Sequence, residues 1–110
     1  MNADGSADGV QVQHYMAGGV YVKEALISSG WALEGHKHIY DHLSLLAFGV
    51  VQVTVEGVIT NYTGPTGILI KANKKHRIEA LEDSLWYCTH SVPEGLRLSD
   101  VEETLVVAFI

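Results

Sequence analysis

From residue 10 onward, apolar and polar positions alternate in short runs broken by glycine-containing turns. Repeating at intervals of about ten residues, this is the pattern of many short strands. The clearest run is VQVTVE at 51–56, whose valines are predicted to face a core and whose polar residues face water. Glu56-Gly57 then reads as a tight turn and VITNYT at 58–63 as the returning strand of a hairpin. GPTG at 64–67 reads as a loop, because proline and its flanking glycines cannot continue a ladder. ILI at 68–70 opens another strand, NKK at 73–75 turns it, and residues 76–80 and 85–90 form two more around LEDS at 81–84. The run TLVVAFI at 104–110 is almost continuously apolar, which suits a strand buried on both faces or packed on a second subunit. Only 101–105 has weak helical character. Eight or more short strands with Gly-rich turns predict an all-β sandwich or barrel. MNADGSADG at 1–9 is small and polar and reads as a flexible leader. Residues 10–110 are then one domain, without internal repeat or low-complexity segment.

Composition narrows the function. Of the 110 residues, 47% are hydrophobic and 18% charged, which predicts a filled core rather than a disordered chain. The formal charge is -6, and Lys71, Lys74, Lys75 and Arg77 are the densest basic group. A nucleic-acid binder would carry a basic stripe, so that class is set aside. No run approaches the length of a membrane span, and the N-terminus lacks a signal-peptide core. A soluble, cytoplasmic protein is expected. Cys88 is the single cysteine, which rules out an intramolecular disulfide and a Cys-rich zinc site. It reads as a buried thiol, and His90 is the only base close to it in sequence.

Three of the six histidines, His36, His38 and His42, fall within seven residues. On a strand, residues two apart share a face, so His36 and His38 project together. His42 has the same parity, although Tyr40-Asp41 can interrupt the strand. His76 opens a later strand that a closed barrel can bring beside them. Imidazole is a preferred ligand of divalent first-row metals, and an H-x-H pair supplies two adjacent coordination positions. The cluster therefore points to metal binding. Asp41 is the only carboxylate beside it, and fits an acceptor for a histidine N–H better than a direct ligand. Tyr40 is read as packing or as lining the mouth of the barrel. Trp86, Cys88 and His90 share one parity, which puts Trp86 and His90 either in the pocket or in an interface. Leu46, Phe48 and Ile78 are predicted core or pocket wall. His14 lies outside the cluster and is read as unrelated to it.

The spacing Gly30-x5-His36-x-His38-x3-His42-x6-Gly49 resembles the first motif of the cupin family, G-x5-H-x-H-x3,4-E-x6-G. His42 stands where most cupins carry glutamate. IKANKKH at 70–76 is similar to the family's I-P-A-G-x-x-H, with Lys71 for proline, Asn73 for glycine, and His76 on the metal-binding histidine. The resemblance spans roughly residues 20 to 92. It implies a small single-domain cupin: an antiparallel β-barrel of jelly-roll type (a double-stranded β-helix), commonly dimeric. It also implies one divalent transition metal, Fe, Mn, Ni, Zn or Cu, held by His36, His38, His42 and His76.

Four neutral imidazoles would leave a divalent ion its full charge of two, where one carboxylate ligand would halve it. Such an ion attracts an anionic or enolate ligand more strongly, lowers the pKa of bound water further, and disfavours an oxidised state. Two classes follow. One is a metal-dependent enzyme acting on a small anionic or enolisable organic molecule, oxygenase-type (dioxygenase-like, an oxidoreductase) or isomerase/lyase. The other is a non-catalytic module that binds a metal or small ligand. The oxygenase-type enzyme is the favoured reading, although no acid or base stands out beyond the ligands. Residues 105–110 and 20–27 are the expected contact surfaces of a homodimer.

Overall fold

A computed structural model describes residues 9–35 and 41–91. Most of the leader, the segment 36–40, the weakly helical 101–105 and the apolar run at 104–110 lie outside the described residues. Within them the chain is all-β. The strands are β1 (Val10–Ala17), β2 (Val20–Ile27), β3 (Ala32–Gly35), β4 (His42–Phe48), β5 (Val50–Val55), β6 (Val58–Thr63), β7 (Thr66–Ile70), β8 (His76–Ala80) and β9 (Ser84–Ser91). They form two sheets, ordered β1-β2-β9-β4-β7 and β3-β8-β5-β6, and the strand pairings in both are antiparallel. The inner faces enclose one core, built around Ile27, Leu46, Val51, Ile70, Ile78 and Trp86.

The hairpin expected at Glu56-Gly57 is present. Val55 pairs with Val58, and both loop residues have positive φ, 47° and 84°, as a two-residue type I′ turn requires. Val51 and Val53 are buried, as their alternation predicts. The loop at 64–67 is shorter than expected, because β7 already begins at Thr66.

β4 departs from the usual polarity of a half-buried strand. Its inner face carries His42, Ser44 and Leu46, while Leu43 and Leu45 point outward and are exposed. Phe48, read from its pattern as core or pocket wall, is instead 47% exposed. The reason is local: Leu46 pairs with Trp86 and Phe48 with Leu85, so Ala47 is the extra residue of a β-bulge. The bulge inverts the alternation, and Phe48 joins the outward set.

Just past the bulge, Gly49 adopts φ +100°, and a Cβ there would lie 2.2 Å from Ser84 Oγ and 2.5 Å from the Asp83 carbonyl oxygen. Gly30 also has positive φ, +85°, but has nothing within 4 Å of such a Cβ. Gly30→Ala should therefore lose only the backbone term, about 1 kcal/mol. Gly49→Ala adds a collision to that strain and should lose about 3 kcal/mol. Urea unfolding of both variants checks this, and equal losses would contradict it.

Candidate metal centre and cavity

The two motif segments meet at one end of the barrel. Gly35, where β3 ends, pairs with His76, where β8 begins. Beside that pair, exposed Glu34 on β3 and Arg77 on β8 form an ion pair across the two strands. β4 begins at His42, so described strand ends flank the segment holding His36, His38 and Tyr40. Those three residues lie outside the described set.

His42 shares the inner face of β4 with Ser44 and Leu46, and His76 shares that of β8 with Ile78 and Ala80. Both imidazoles are buried. Their ring centroids are 5.9 Å apart and tilted by 49°, so their nitrogens can be directed toward a common point. His90 ends the inner row of β9 above Trp86 and Cys88. Leu43 pairs with Thr89, and one step further along the register His42 faces His90. These two rings lie 4.7 Å apart at 29°, stacked. A nitrogen lone pair lies in the plane of its ring, so stacked rings aim their nitrogens side by side rather than at one ion. Among the described residues, no three His, Cys, Asp or Glu side chains converge well enough to hold a metal by themselves. His42 and His76 supply two donors of the right chemistry.

Burial above all, and then the neighbouring His90 and His76, together hold the His42 pKa down to about 4, from an ordinary 6.5, against the opposing charge of Asp41. A neutral imidazole, with its lone pair available, is the form that binds metal. Asp41 is exposed. It accepts a hydrogen bond from the Ala72 N–H at 2.7 Å and pairs with Lys71 at 3.8 Å. Its carboxylate thus ties the start of β4 to the β7–β8 connection and acts on His42 through its charge.

A cavity of about 420 Å³ opens at this end, lined by Asp41, His42, Thr89, His90 and Ser91 among others. On the other side, a shallower cleft of about 230 Å³ touches His76, Glu56 and Lys75. Trp86 shares the parity of His90 but lies two rows deeper, fully buried in the core, with its indole N–H donating to Cys88 Sγ at 3.2 Å. It is a core residue rather than a wall of this cavity. Burial pushes the Cys88 thiol pKa up, so it stays protonated and unreactive.

Sequence reasoning set aside one part of this end of the barrel. Tyr21 on β2 pairs directly with His90, with rings 5.9 Å apart at 23°. Tyr21 in turn lies 5.9 Å from His14 on β1, at 15°, and its hydroxyl shares a hydrogen bond of 2.6 Å with His14 Nδ1. A row of rings, His14–Tyr21–His90–His42, thus crosses β1, β2, β9 and β4. The available signal was parity, since His14 continues the inward alternation of Val10 and Val12, but only strand order reveals the neighbour.

No family model matches the chain, and no curated protein matches it in sequence. Solved structures do match in fold. A cupin superfamily protein from Desulfitobacterium hafniense superposes with TM-score 0.68 at 13% identity, over 80% of this chain and 82% of that one. This chain has the cupin fold. KdgF from Halomonas sp. matches with TM-score 0.67 at 20% identity, over 81% of this chain and 84% of its own. Salicylate 1,2-dioxygenase from Pseudoaminobacter salicylatoxidans, in adducts with gentisate, matches with TM-score 0.70 at 10% identity, over 91% of this cupin-fold chain and 28% of its own.

The depressed His42 pKa has a consequence for metal-free protein. Between pH 6.5 and about 4 the unfolded chain takes up a proton at His42 that the folded chain refuses. That contribution to stability is complete above pH 6.5, falls as the pH drops toward about 4, and then levels off. In chelator-treated protein, His42→Leu should therefore flatten the acid loss of Tm across this window. Parallel curves for the two proteins would contradict it.

Proposed function

We propose that this cupin-fold barrel binds one divalent transition metal through His42 and His76, together with His36 and His38 of the first motif. On this reading it is a metal-dependent, oxygenase-type enzyme acting on a small anionic or enolisable molecule. The observation that carries the proposal is the pair of buried, tilted imidazoles of His42 and His76, beside a solvent-reached cavity. When bound, the metal supplies a Lewis-acid centre for a substrate's oxygen atoms. His42 is held neutral by its surroundings, and the neutral imidazole is the protonation state that ligates such an ion. With no carboxylate in the set, the substrate's own oxygen anion is the natural counter-charge. A cavity reaching the histidines favours chemistry over a closed structural site, and a gentisate-bound dioxygenase on the same fold supports the enzyme class.

A non-catalytic binding module is the second reading, favoured by the engagement of Asp41 with Ala72 and Lys71, which leaves it a poor general base. Isomerase or lyase chemistry would use the same Lewis-acid centre. A buried, protonated thiol at Cys88 suits a reducing cytoplasm.

A homodimer is part of the proposal. Leu43, Leu45, Phe48 and Leu69 make an exposed apolar patch on the outer face of β4 and β7, extended toward exposed Leu26 on β2 through Leu85. A second copy of the chain covering this face would remove it from water.

Protein purified without added metal should carry about one equivalent of transition metal by elemental analysis. His36→Ala/His38→Ala and His42→Ala/His76→Ala should each lose it, and full metal content in either double variant would sink the site. Iron, manganese or copper favours the oxygenase reading, and zinc the isomerase or lyase. Sedimentation at two concentrations should show a dimer that Leu43→Glu/Leu69→Lys dissociates; a wild-type monomer would exclude it.

A further inference from the structure

His42 and His76 stand on strands of different sheets, β4 and β8. Backbone ladders fix spacing within a sheet, whereas the gap between sheets follows from how side chains and connections pack. A metal tolerates little error in that gap, because its ligand distances are set to within about 0.2 Å. Residues 71–75 are the connection that matters: they leave β7 beside His42 and deliver His76 as the first residue of β8. The β4–β7 ladder runs out at the His42–Ile70 pair. Two residues beyond Ile70, the Ala72 N–H donates to Asp41 Oδ1 at 2.7 Å. The side chain next to His42 thus continues the hold that the backbone gives up. Asn73 then takes φ 60°, a left-handed turn that asparagine tolerates, and the chain crosses to the other sheet.

We propose that Asp41 is the positioning residue of the metal centre: its carboxylate anchors the root of the 71–75 connection to the His42 end of β4, and so sets where His76 meets the ion. The inference rests on the metal reading above and deepens it. Asp41 touches no metal in this assignment, and acts through the Ala72 N–H. Its other oxygen lies 3.8 Å from Lys71, between exposed side chains, a loose surface contact that adds little. The bond to Ala72 is different, because a charged acceptor on a backbone donor makes a short and directional contact. It holds the connection in one path before binding, which spares the metal the cost of ordering it.

The test uses cobalt(II) as the probe, with its visible absorption reading both affinity and coordination geometry. Wild-type protein should bind one cobalt. Asp41→Asn removes the charge but keeps an acceptor oxygen. It should hold cobalt within about threefold of wild type with the same band shape, as a neutral bond in place of a charged one predicts. Asp41→Ala removes the acceptor, and should weaken cobalt about tenfold and alter the band. Lys71→Ala should match wild type. The Tm of each cobalt-free protein is read alongside. A lowered Tm in Asp41→Ala, at wild-type cobalt affinity and band shape, would make Asp41 a loop cap without bearing on the site and overturn the proposal. An Asn variant that falls as far as the Ala variant would overturn it too, since charge rather than the bond would then be at work.

A second measurement needs no variant. Metal binding and the Asp41–Ala72 bond favour the same arrangement, so by linkage each strengthens the other. Zinc should slow hydrogen exchange at the Ala72 N–H more than at the Gly64 N–H, which donates to the Gly49 carbonyl just past the far end of β4. Equal slowing at the two amides would contradict the coupling. If the wild type binds no cobalt, the metal reading fails and this inference falls with it. One cobalt bound equally well by wild type and Asp41→Ala sinks this inference alone.

Discussion

The register of β4 against β9 is the constraint on which this end of the molecule depends. Leu43 opposes Thr89 and Leu46 opposes Trp86, which sets His42 against His90 inside the barrel. Side-chain direction in a strand has a period of two, so a slip of β4 by one residue would turn His42 outward and carry Leu43 and Leu45 inward. The same slip would turn out Leu46, which is fully buried opposite Trp86. The bulge at Ala47 marks where the β4–β9 ladder changes step, and it goes with the register in which His42 lies inside.

Burying several imidazoles together has an electrostatic consequence. His42 resists protonation, because a charge there would be poorly solvated and would be repelled by His90 and His76. His42 shows this directly, with its pKa drawn down to about 4. His42 is therefore a neutral nitrogen donor at neutral pH. In the proposed site, which has no carboxylate ligand, a bound metal ion would stay strongly electrophilic toward anions.

The inverted polarity of β4 links the site to the outer surface. With His42 and Ser44 inside, the leucines of that strand face out, and the bulge at Ala47 adds Phe48 to them. Orienting the histidines inward and exposing an apolar patch are one event, set by a single strand's parity. The same strand thus carries the proposed chemistry on one face and the proposed dimer contact on the other. The ion pair of Glu34 with Arg77 beside His76 is exposed and contributes little to holding that end together; the backbone ladder and the core do that.

Several features were legible in the sequence for local reasons. Alternation over 51–56, a Glu-Gly pair with the conformational freedom for a type I′ turn, and glycine spacing announced an all-β domain. The spacing of His36, His38, His42 and His76 pointed to the cupin fold. These are short-range properties, set by side-chain periodicity and by backbone angles that few residues tolerate. The tertiary structure alone decided which face of β4 is inside, because its pattern HLSLLAF favours the opposite choice and only packing against β9 overrules it. It alone moved Phe48 outward, since a bulge depends on the partner strand. It alone joined His14 and Tyr21 to His90, residues some seventy positions apart in the chain whose contact exists only because β2 lies beside β9 in the sheet. Local chemistry is written residue by residue, whereas neighbours across a sheet are set by strand order and register, which the burial of the whole core determines.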